Sequence, residues 1–189
     1  MKTLADCMQD VFEDGPKRDR RLWLGDLRLQ ALAKIANDKE IRKYQDKLTL
    51  ISDYAKNNLY NAEKNMFVTN GDEYNIASQV WMVLAHVMDD ETNQKIMKTA
   101  IHELFPIKNI ATPYMYHHIV EAIFEAGLKE EAVQLMKDYW GKMLSLGADT
   151  YWEAFDPDQT DYSPYGSPIV NSYCHEWSCT PVYLLSKYM

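Results

Sequence analysis

The fold class is decided by residues 119–147, IVEAIFEAGLKEEAVQLMKDYWGKMLSLG. Apolar residues recur in this stretch at spacings of three and four, which places them on one face of each of two α-helices. Gly127 ends the first run and Gly147 ends the second, each where a helix C-cap favours a positive φ angle. The stretch therefore predicts a helical hairpin with a short charged turn.

The same spacing of apolar residues recurs in the preceding part of the chain. Two charged turns, residues 89–91 and 127–131, lie about 38 residues apart, so helix–turn–helix units repeat weakly. Both a closed toroid of helical hairpins and an open helical solenoid fit such a repeat. Further helices are predicted at residues 25–36, 41–55, 76–87 and 96–104.

A small β-hairpin is the one strand feature that the sequence favours. Residues 66–68 stand just before Asn70-Gly71, a dipeptide typical of two-residue hairpin turns. No alternating run of apolar and polar residues is long enough to predict a larger sheet, so the predicted class is all-α.

Composition restricts the function classes. The chain has 189 residues, enough for one domain with a real core, and 28 Asp and Glu against 20 Lys and Arg give a net charge of −8. This balance argues against nucleic acid and anionic lipid as partners, because both need a basic face. The sequence has no apolar run of the roughly 18–20 residues that cross a bilayer. The first residues do not resemble a signal peptide, so a cytoplasmic location is expected.

Cysteine and histidine give little sign of a metal site. The three cysteines, Cys7, Cys174 and Cys179, lack paired CxxC spacings, so free and buried thiols are expected. His117 and His118 are adjacent and are expected to point to different faces of a helix. No metal site and no cofactor are predicted.

Two stretches that lack a clean apolar stripe are dense in carboxylates and aromatics. The first, residues 14–26, alternates three aspartates with arginines and Trp23. In a pocket, arginine would hold one carboxylate ionised while another keeps its proton; on a surface, the run is simply solvated. The second, residues 147–181, contains Trp152-Glu153 and His175. Glu153 could be a base or a surface glutamate, and His175 a hydrogen-bond donor to substrate or a structural residue.

Paired carboxylates in aromatic-rich loops are what glycoside hydrolysis requires, one as general acid and the other as nucleophile or base. The motifs in these stretches resemble the catalytic domain of the bacterial α-L-rhamnosidases, glycoside hydrolase family 78. The resemblance covers about residues 12–36 and 54–189. It rests on DGPKRDRRLWLGD (14–26), SQVWMVL (78–84), TPYMYH (112–117), GADTYWE (147–153) and NSYCHEWSCTPVYLL (171–185).

The resemblance implies an (α/α)6 six-hairpin toroid and an inverting mechanism without metal or organic cofactor. Asp19 then matches the general acid and Glu153 the general base, and the two carboxyl groups are expected about 6.5–9.5 Å apart to leave room for a water. A rhamnose-containing saccharide or glycoside is the implied substrate. The remaining predicted sugar-binding residues are Asp14, Arg18, Trp23, Asp26, Trp81, Trp152 and His175.

The chain is short for this fold. Twelve helices need more than about 300 residues at typical helix and loop lengths, whereas this chain holds about seven or eight helices. We therefore expect residues 1–189 to form one catalytic domain that lacks several helices near residues 36–40 and is an incomplete toroid. Inner helix faces near Leu27 to Ile41 would then be bare, and self-association is expected. The alternative function is a non-catalytic helical-hairpin binding module, with the acidic loops as its partner surface.

Overall fold

The computed structural model describes residues 41–189, with side chains from residue 47 onward, and confirms the all-α class. The chain divides into two compact units, residues 1–51 and 52–189, and every element after the first helix belongs to the second unit. The described residues form helices α1 (Ile41–Asn58), α2 (Ile76–Leu84), α3 (Asp90–Leu104), α4 (Pro113–Glu125), α5 (Lys129–Ser145) and α6 (Thr180–Tyr188), and strands β1 (Tyr60–Asn61) and β2 (Met66–Phe67).

Several predictions fall on residues outside the described part of the chain. They are the helix at residues 25–36, the bare apolar surface near Leu27 to Ile41 and the gap near residues 36–40. The single-domain organisation and the incomplete ring stay predictions as well.

The predicted hairpin of α4 and α5 is confirmed. Ile119, Val120 and Ile123 on α4 are fully buried. Gly127 has φ +73° after the end of α4, and the following Leu128 amide donates to the carbonyl of Ile123 at 3.0 Å. This positive φ turns the chain so that α5 packs back against α4.

Helix α4 is the central element of the second unit, because α2, α5 and α6 all pack against it. Its side chains are buried over almost the whole of its length after Met115, except at His117 and Glu125, which are half-buried. A helix buried on most of its circumference needs apolar residues beyond a single stripe, and the run from Ile119 to Phe124 supplies them. The same helix therefore supplies the core face against which its three neighbours pack.

Side-chain caps fix where α2 and α3 begin. The Asn75 side chain accepts a hydrogen bond from the Ser78 amide, and that of Asp89 accepts one from the Thr92 amide, both at 2.8 Å. The hydrogen bonds from Thr92 lower the pKa of the Asp89 carboxyl. The acidic residues predicted as a turn at 89–91 are thus the N-cap and first turn of α3, where negative charge is favourable.

The predicted β-hairpin forms with a different partner. Strand β2 pairs antiparallel with the preceding β1, with Tyr60 opposite Phe67, whereas Asn70-Gly71 closes only a single bridge between Asn70 and Glu73. The reason lies in α2, since the fully buried Gln79 amide bonds both the Phe67 amide, at 2.7 Å, and the Phe67 carbonyl, at 2.8 Å. That side chain occupies the backbone groups of Phe67 that a strand after the turn would need.

Two burial predictions are wrong. Cys174 and Cys179 are free thiols, as expected, but both are exposed. They flank a single 3₁₀ turn, Glu176–Ser178, and the interior position of that turn is taken by Ser178, which is fully buried. On α1, Ala55 is buried in the core, whereas Leu48 and Ile51 of the same predicted stripe are exposed.

None of the helices in residues 41–189 is both long and apolar enough to cross a membrane.

Candidate active site

The second aromatic-rich stretch forms a loop, residues 147–179, that lies over the ends of α4 and α5. Two neighbouring side chains of α5 hold it. The Tyr139 hydroxyl donates to the Phe155 carbonyl at 2.9 Å, and the Trp140 indole N–H donates to the Ser178 carbonyl at 3.0 Å. The Phe155 amide also donates to the Ala111 carbonyl at 2.7 Å, just before α4. The loop is thus fixed at both ends to helices of the core.

Glu153 is held in this loop by hydrogen bonds to both carboxylate oxygens. Oε1 accepts from the Tyr165 hydroxyl at 2.7 Å, and Oε2 accepts from the Ser172 amide at 2.8 Å. The backbone N–H of Glu153 donates to the Ser172 carbonyl, also at 2.8 Å. The side chain is 15% exposed, so it is mostly desolvated yet open to a small molecule. Each oxygen keeps a further lone pair for a water or a sugar hydroxyl.

His175 faces the same carboxylate. Its Nε2 lies 3.9 Å from Glu153 Oε1, and its Nδ1 accepts from the Trp177 amide at 3.4 Å. A neutral imidazole that accepts at Nδ1 carries its proton on Nε2, the nitrogen that faces Glu153. The Trp177 indole N–H in turn donates to the Glu153 carbonyl at 3.0 Å. The structure thus brings the predicted residues Glu153 and His175 together.

A row of ring contacts connects this site to α2. Trp81 on α2 lies 4.8 Å from the His118 ring, and Tyr114 also lies 4.8 Å from that ring. Tyr114 then contacts Trp177 at 5.9 Å, and Trp177 contacts His175 at 4.3 Å. Trp81 is 38% exposed. The predicted wall residue Trp81 is therefore joined to His175 through three rings that belong to α4 and to the loop.

Trp152 is half-buried and contacts two other rings of the loop. Its ring contacts Phe155 at 5.5 Å and Tyr173 at 5.4 Å, both edge to face. Its carbonyl accepts from the Ser178 hydroxyl at 2.5 Å. These contacts fix the position of Trp152 directly before Glu153, and its role in stacking on a sugar stays a prediction.

His117 and His118 do not point apart as expected. His117 Nε2 and His118 Nδ1 both lie 3.6 Å from Glu121 Oε2, because residues three and four apart share a face of α4. The three side chains offer ligand atoms within 4.8 Å of one another, which is compatible with a metal ion. The Lys187 ammonium lies 3.3 Å from Glu121 Oε1 and already places a positive charge at this carboxylate.

Tyr165 is the site residue that the sequence reasoning missed. Partial burial, the hydrogen bond to Glu153 and the charge of that carboxylate raise the pKa of Tyr165 to about 12. Tyr165 stands between Pro164 and Gly166, and Gly166 has φ +84°. This Pro-Tyr-Gly turn was the available signal, since a turn twelve residues after Glu153 can fold back onto it.

The first acidic stretch lies outside the described residues. The separation of the Asp19 and Glu153 carboxyl groups therefore stays a prediction. The positions concerned are Asp14, Arg18, Asp19, Trp23 and Asp26.

Comparison with known proteins defines the class to which this helical scaffold and loop belong. Residues 28–189 match the bacterial alpha-L-rhamnosidase 6 hairpin glycosidase domain, and the chain belongs to this family. The described helices are accordingly part of an all-α six-hairpin domain. No curated protein sequence matches the chain.

Two solved structures are similar to this chain. A rhamnosidase from Klebsiella oxytoca with rhamnose bound is 34% identical, with a TM-score of 0.74, over 87% of this chain and 32% of that one. A glycoside hydrolase family 78 rhamnosidase of Bacillus sp. GL1 is 25% identical, with a TM-score of 0.61, over 86% of this chain and 18% of that one. The chain thus spans about a third or less of the length of these relatives.

Proposed function

We propose that the protein removes terminal α-L-rhamnose from a saccharide or glycoside with inversion, with Glu153 as general base and Asp19 as general acid. The observation that carries the proposal is the geometry of Glu153, a mostly buried carboxylate fixed at both oxygens beside His175. Membership of the rhamnosidase domain family and the likeness to a rhamnose-bound relative support rhamnose as the sugar.

The base has to accept a proton from the water that attacks the sugar. In an inverting reaction this water enters on the face opposite the leaving group, while the acid protonates the departing oxygen. The Tyr165 hydroxyl and the Ser172 amide fix the direction of the Glu153 lone pairs, so no reorientation is needed when the water arrives. Asp19 supplies the other proton and later recovers one from solvent.

Rhamnose would be held by the groups around this carboxylate. The His175 Nε2–H can donate to a sugar hydroxyl near Glu153, and the exposed face of Trp81 can stack on the C–H face of a sugar ring. Asp14, Arg18, Trp23 and Asp26 are proposed as further sugar-binding residues, as the family resemblance implies. No metal or organic cofactor takes part in the proposed reaction.

The direct test is release of nitrophenol from an aryl α-L-rhamnoside by the purified chain, followed by proton NMR of the sugar. Inversion requires that β-L-rhamnose appears first and then mutarotates. Early release of α-L-rhamnose would contradict the assigned mechanism. Rhamnose binding without any turnover would instead support the alternative of a non-catalytic binding module.

Asp19→Asn separates the two roles. A good leaving group departs without a proton, so this substitution should slow poor leaving groups far more than activated aryl ones. Glu153→Gln should slow both, because water attacks in either case. Equal damage by the two substitutions with an activated aryl rhamnoside would show that the roles are wrongly assigned.

A further inference from the structure

Two cavities that share part of their lining form a groove at the ends where α2 and α4 begin. Its first part is a cavity of about 620 Å³. One wall is formed by residues 74–77 at the start of α2, and the other by residues 103–110 at the end of α3 and just after it. Its second part, of about 460 Å³, lies between the start of α4 and residues 156–164 of the loop. The two parts share three residues, Ala77, Asn109 and Ile110. Each is as large as an ordinary small-molecule site, of roughly 300–1,000 Å³.

The lining of the groove combines aromatic rings and aliphatic side chains with amides and carboxylates. Phe105 lines the first part and the 43% exposed Tyr162 lines the second, while Asn109 borders both. Gln159 and Asp156 stand beside Tyr162. A sugar ring has an apolar C–H face and an edge of hydroxyls that donate and accept, so aromatic rings together with amides match both of its surfaces.

These side chains are available to a ligand. Within residues 47–189, the side-chain amides of Asn109 and Gln159 form no hydrogen bond to the protein. The segment that carries Gln159 is nevertheless ordered by Asp156, whose Oδ1 accepts from the Asp158 amide at 2.8 Å and from the Gln159 amide at 3.3 Å. The Tyr162 amide then donates to the Gln159 carbonyl at 2.8 Å.

The charges along the groove favour a neutral ligand. Among the described residues that line it, Glu103 and Asp156 carry carboxylates and Lys108 is the one cation. A phosphorylated or uronic-acid chain is negatively charged and would face two negative side chains and one positive side chain. This balance is unfavourable where water is partly excluded.

The groove is joined to the proposed base through the loop itself. Asp156 follows Glu153 by three residues, a distance of at most about 10 Å along extended chain. Tyr165, whose hydroxyl bonds Glu153 Oε1, follows Tyr162 by three residues in the other direction. The segment between Glu153 and Tyr165, with Asp156, Gln159, Tyr162 and Pro164, forms one wall of the groove.

We propose that this groove binds further neutral sugar units of a saccharide chain whose terminal rhamnose reaches Glu153. The inference rests on the proposed function and specifies its substrate as an oligosaccharide or polysaccharide end, not a small aryl glycoside. One sugar unit or more would occupy each part of the groove, with Tyr162 and Gln159 as the contacts nearest the site.

A chain-length series tests the proposal. The substrates carry one non-reducing α-L-rhamnose on zero to four neutral hexoses, and kcat/KM is expected to rise at least about tenfold along the series. Tyr162→Ala and Gln159→Ala should each remove most of that rise, while leaving the aryl rhamnoside rate within about twofold. Tyr54→Ala, at an exposed tyrosine of α1 outside the groove, is the matched control and should leave the rise intact.

The outcomes separate this inference from the function on which it rests. If the aryl rhamnoside is hydrolysed and kcat/KM does not depend on chain length, the groove proposal is wrong and the proposed function stands. If nothing is hydrolysed, calorimetry with the rhamnose-free neutral oligosaccharides still decides, since their binding should weaken at least about fivefold in Tyr162→Ala. Equal affinity of the wild type and Tyr162→Ala, or tighter binding of the matching uronic-acid chains, would overturn the proposal.

Discussion

The α4–α5 hairpin and the loop of residues 147–179 are held by different forces. The hairpin buries apolar side chains such as Ile119 and Ile123 completely. The loop contains only short 3₁₀ turns and is fixed by hydrogen bonds from side chains to backbone, many of them in tyrosine and tryptophan. Stability is therefore concentrated in the hairpin and chemistry in the loop, and substitutions in the two regions should have separable effects.

The largest effect on stability is expected in the hairpin. Ile123→Ala removes a fully buried side chain and should lower the free energy of unfolding by about 2–5 kcal/mol. Chemical denaturation followed by circular dichroism measures it, and kcat of the folded fraction should stay nearly unchanged. Ile123→Val is the control, with an expected loss of about 0.5–1.5 kcal/mol. Equal losses of unfolding free energy for the two variants would show that the core around Ile123 is not tightly packed.

The largest effect on activity is expected in the loop. Glu153→Gln should reduce turnover of an aryl rhamnoside at least about 10²-fold, the usual contribution of a positioned base, while the denaturation midpoint changes little. Added azide should restore product formation, because it attacks without needing a base. Glu176→Gln, at an exposed glutamate of the nearby 3₁₀ turn, should keep full activity. Full activity in Glu153→Gln would show that the Glu153 carboxylate has a structural role and is not the base.

A hydrogen bond between the hairpin and the loop can be removed by deleting one oxygen atom. Tyr139→Phe leaves the packing of the ring in place but removes the hydroxyl that donates to the Phe155 carbonyl. An unpaired buried carbonyl should lower the free energy of unfolding by about 1–2 kcal/mol and also reduce kcat, since Phe155 follows the base by two residues. Tyr54→Phe, at an exposed position, should change neither quantity. A loss of stability without any loss of kcat would mean that the loop holds its own shape.

Tyr165 gives a smaller effect that depends on pH. Its pKa is about 12 in the folded protein and near 10 when unfolded, so the folded state binds more protons between these values. Its contribution to stability is present below pH 10 and is lost as pH rises through about 12. Carbon-13 NMR of labelled tyrosine, assigned with Tyr165→Phe, should show this pKa fall towards 10 in Glu153→Gln. An unchanged pKa would show that burial alone, and not the Glu153 carboxylate, raises the pKa of Tyr165.

The smallest expected effect concerns the thiols of the loop. In a Cys7→Ser background, Cys174 and Cys179 should both react with a thiol reagent in the native protein, because both are exposed. The rate should match that of the unfolded protein within about tenfold. Protection of either thiol would show that the loop covers it in solution.

The helices could be predicted from the sequence because a helix that buries one face carries apolar residues three and four positions apart. Residues 119–147 show this spacing. The cysteines were placed wrongly because the loop has no such period, and its buried positions are set by single hydrogen bonds such as that of Trp140. The contact of Tyr165 with Glu153 was missed for the same reason, because it too depends on a single hydrogen bond in this loop. The partner of β2 was missed because it depends on the Gln79 side chain, which no local pattern reveals.

Tyr139 and Trp140 are consecutive residues, yet they hold the loop at Phe155 and at Ser178, 23 residues apart. Adjacent positions of an α-helix differ by about 100° in direction, so one residue inserted earlier in α5 would turn both anchors away together. An insertion in the loop itself would leave the direction of both anchors unchanged. The length of the α4–α5 hairpin is therefore expected to vary less in related chains than the length of the loop that it holds.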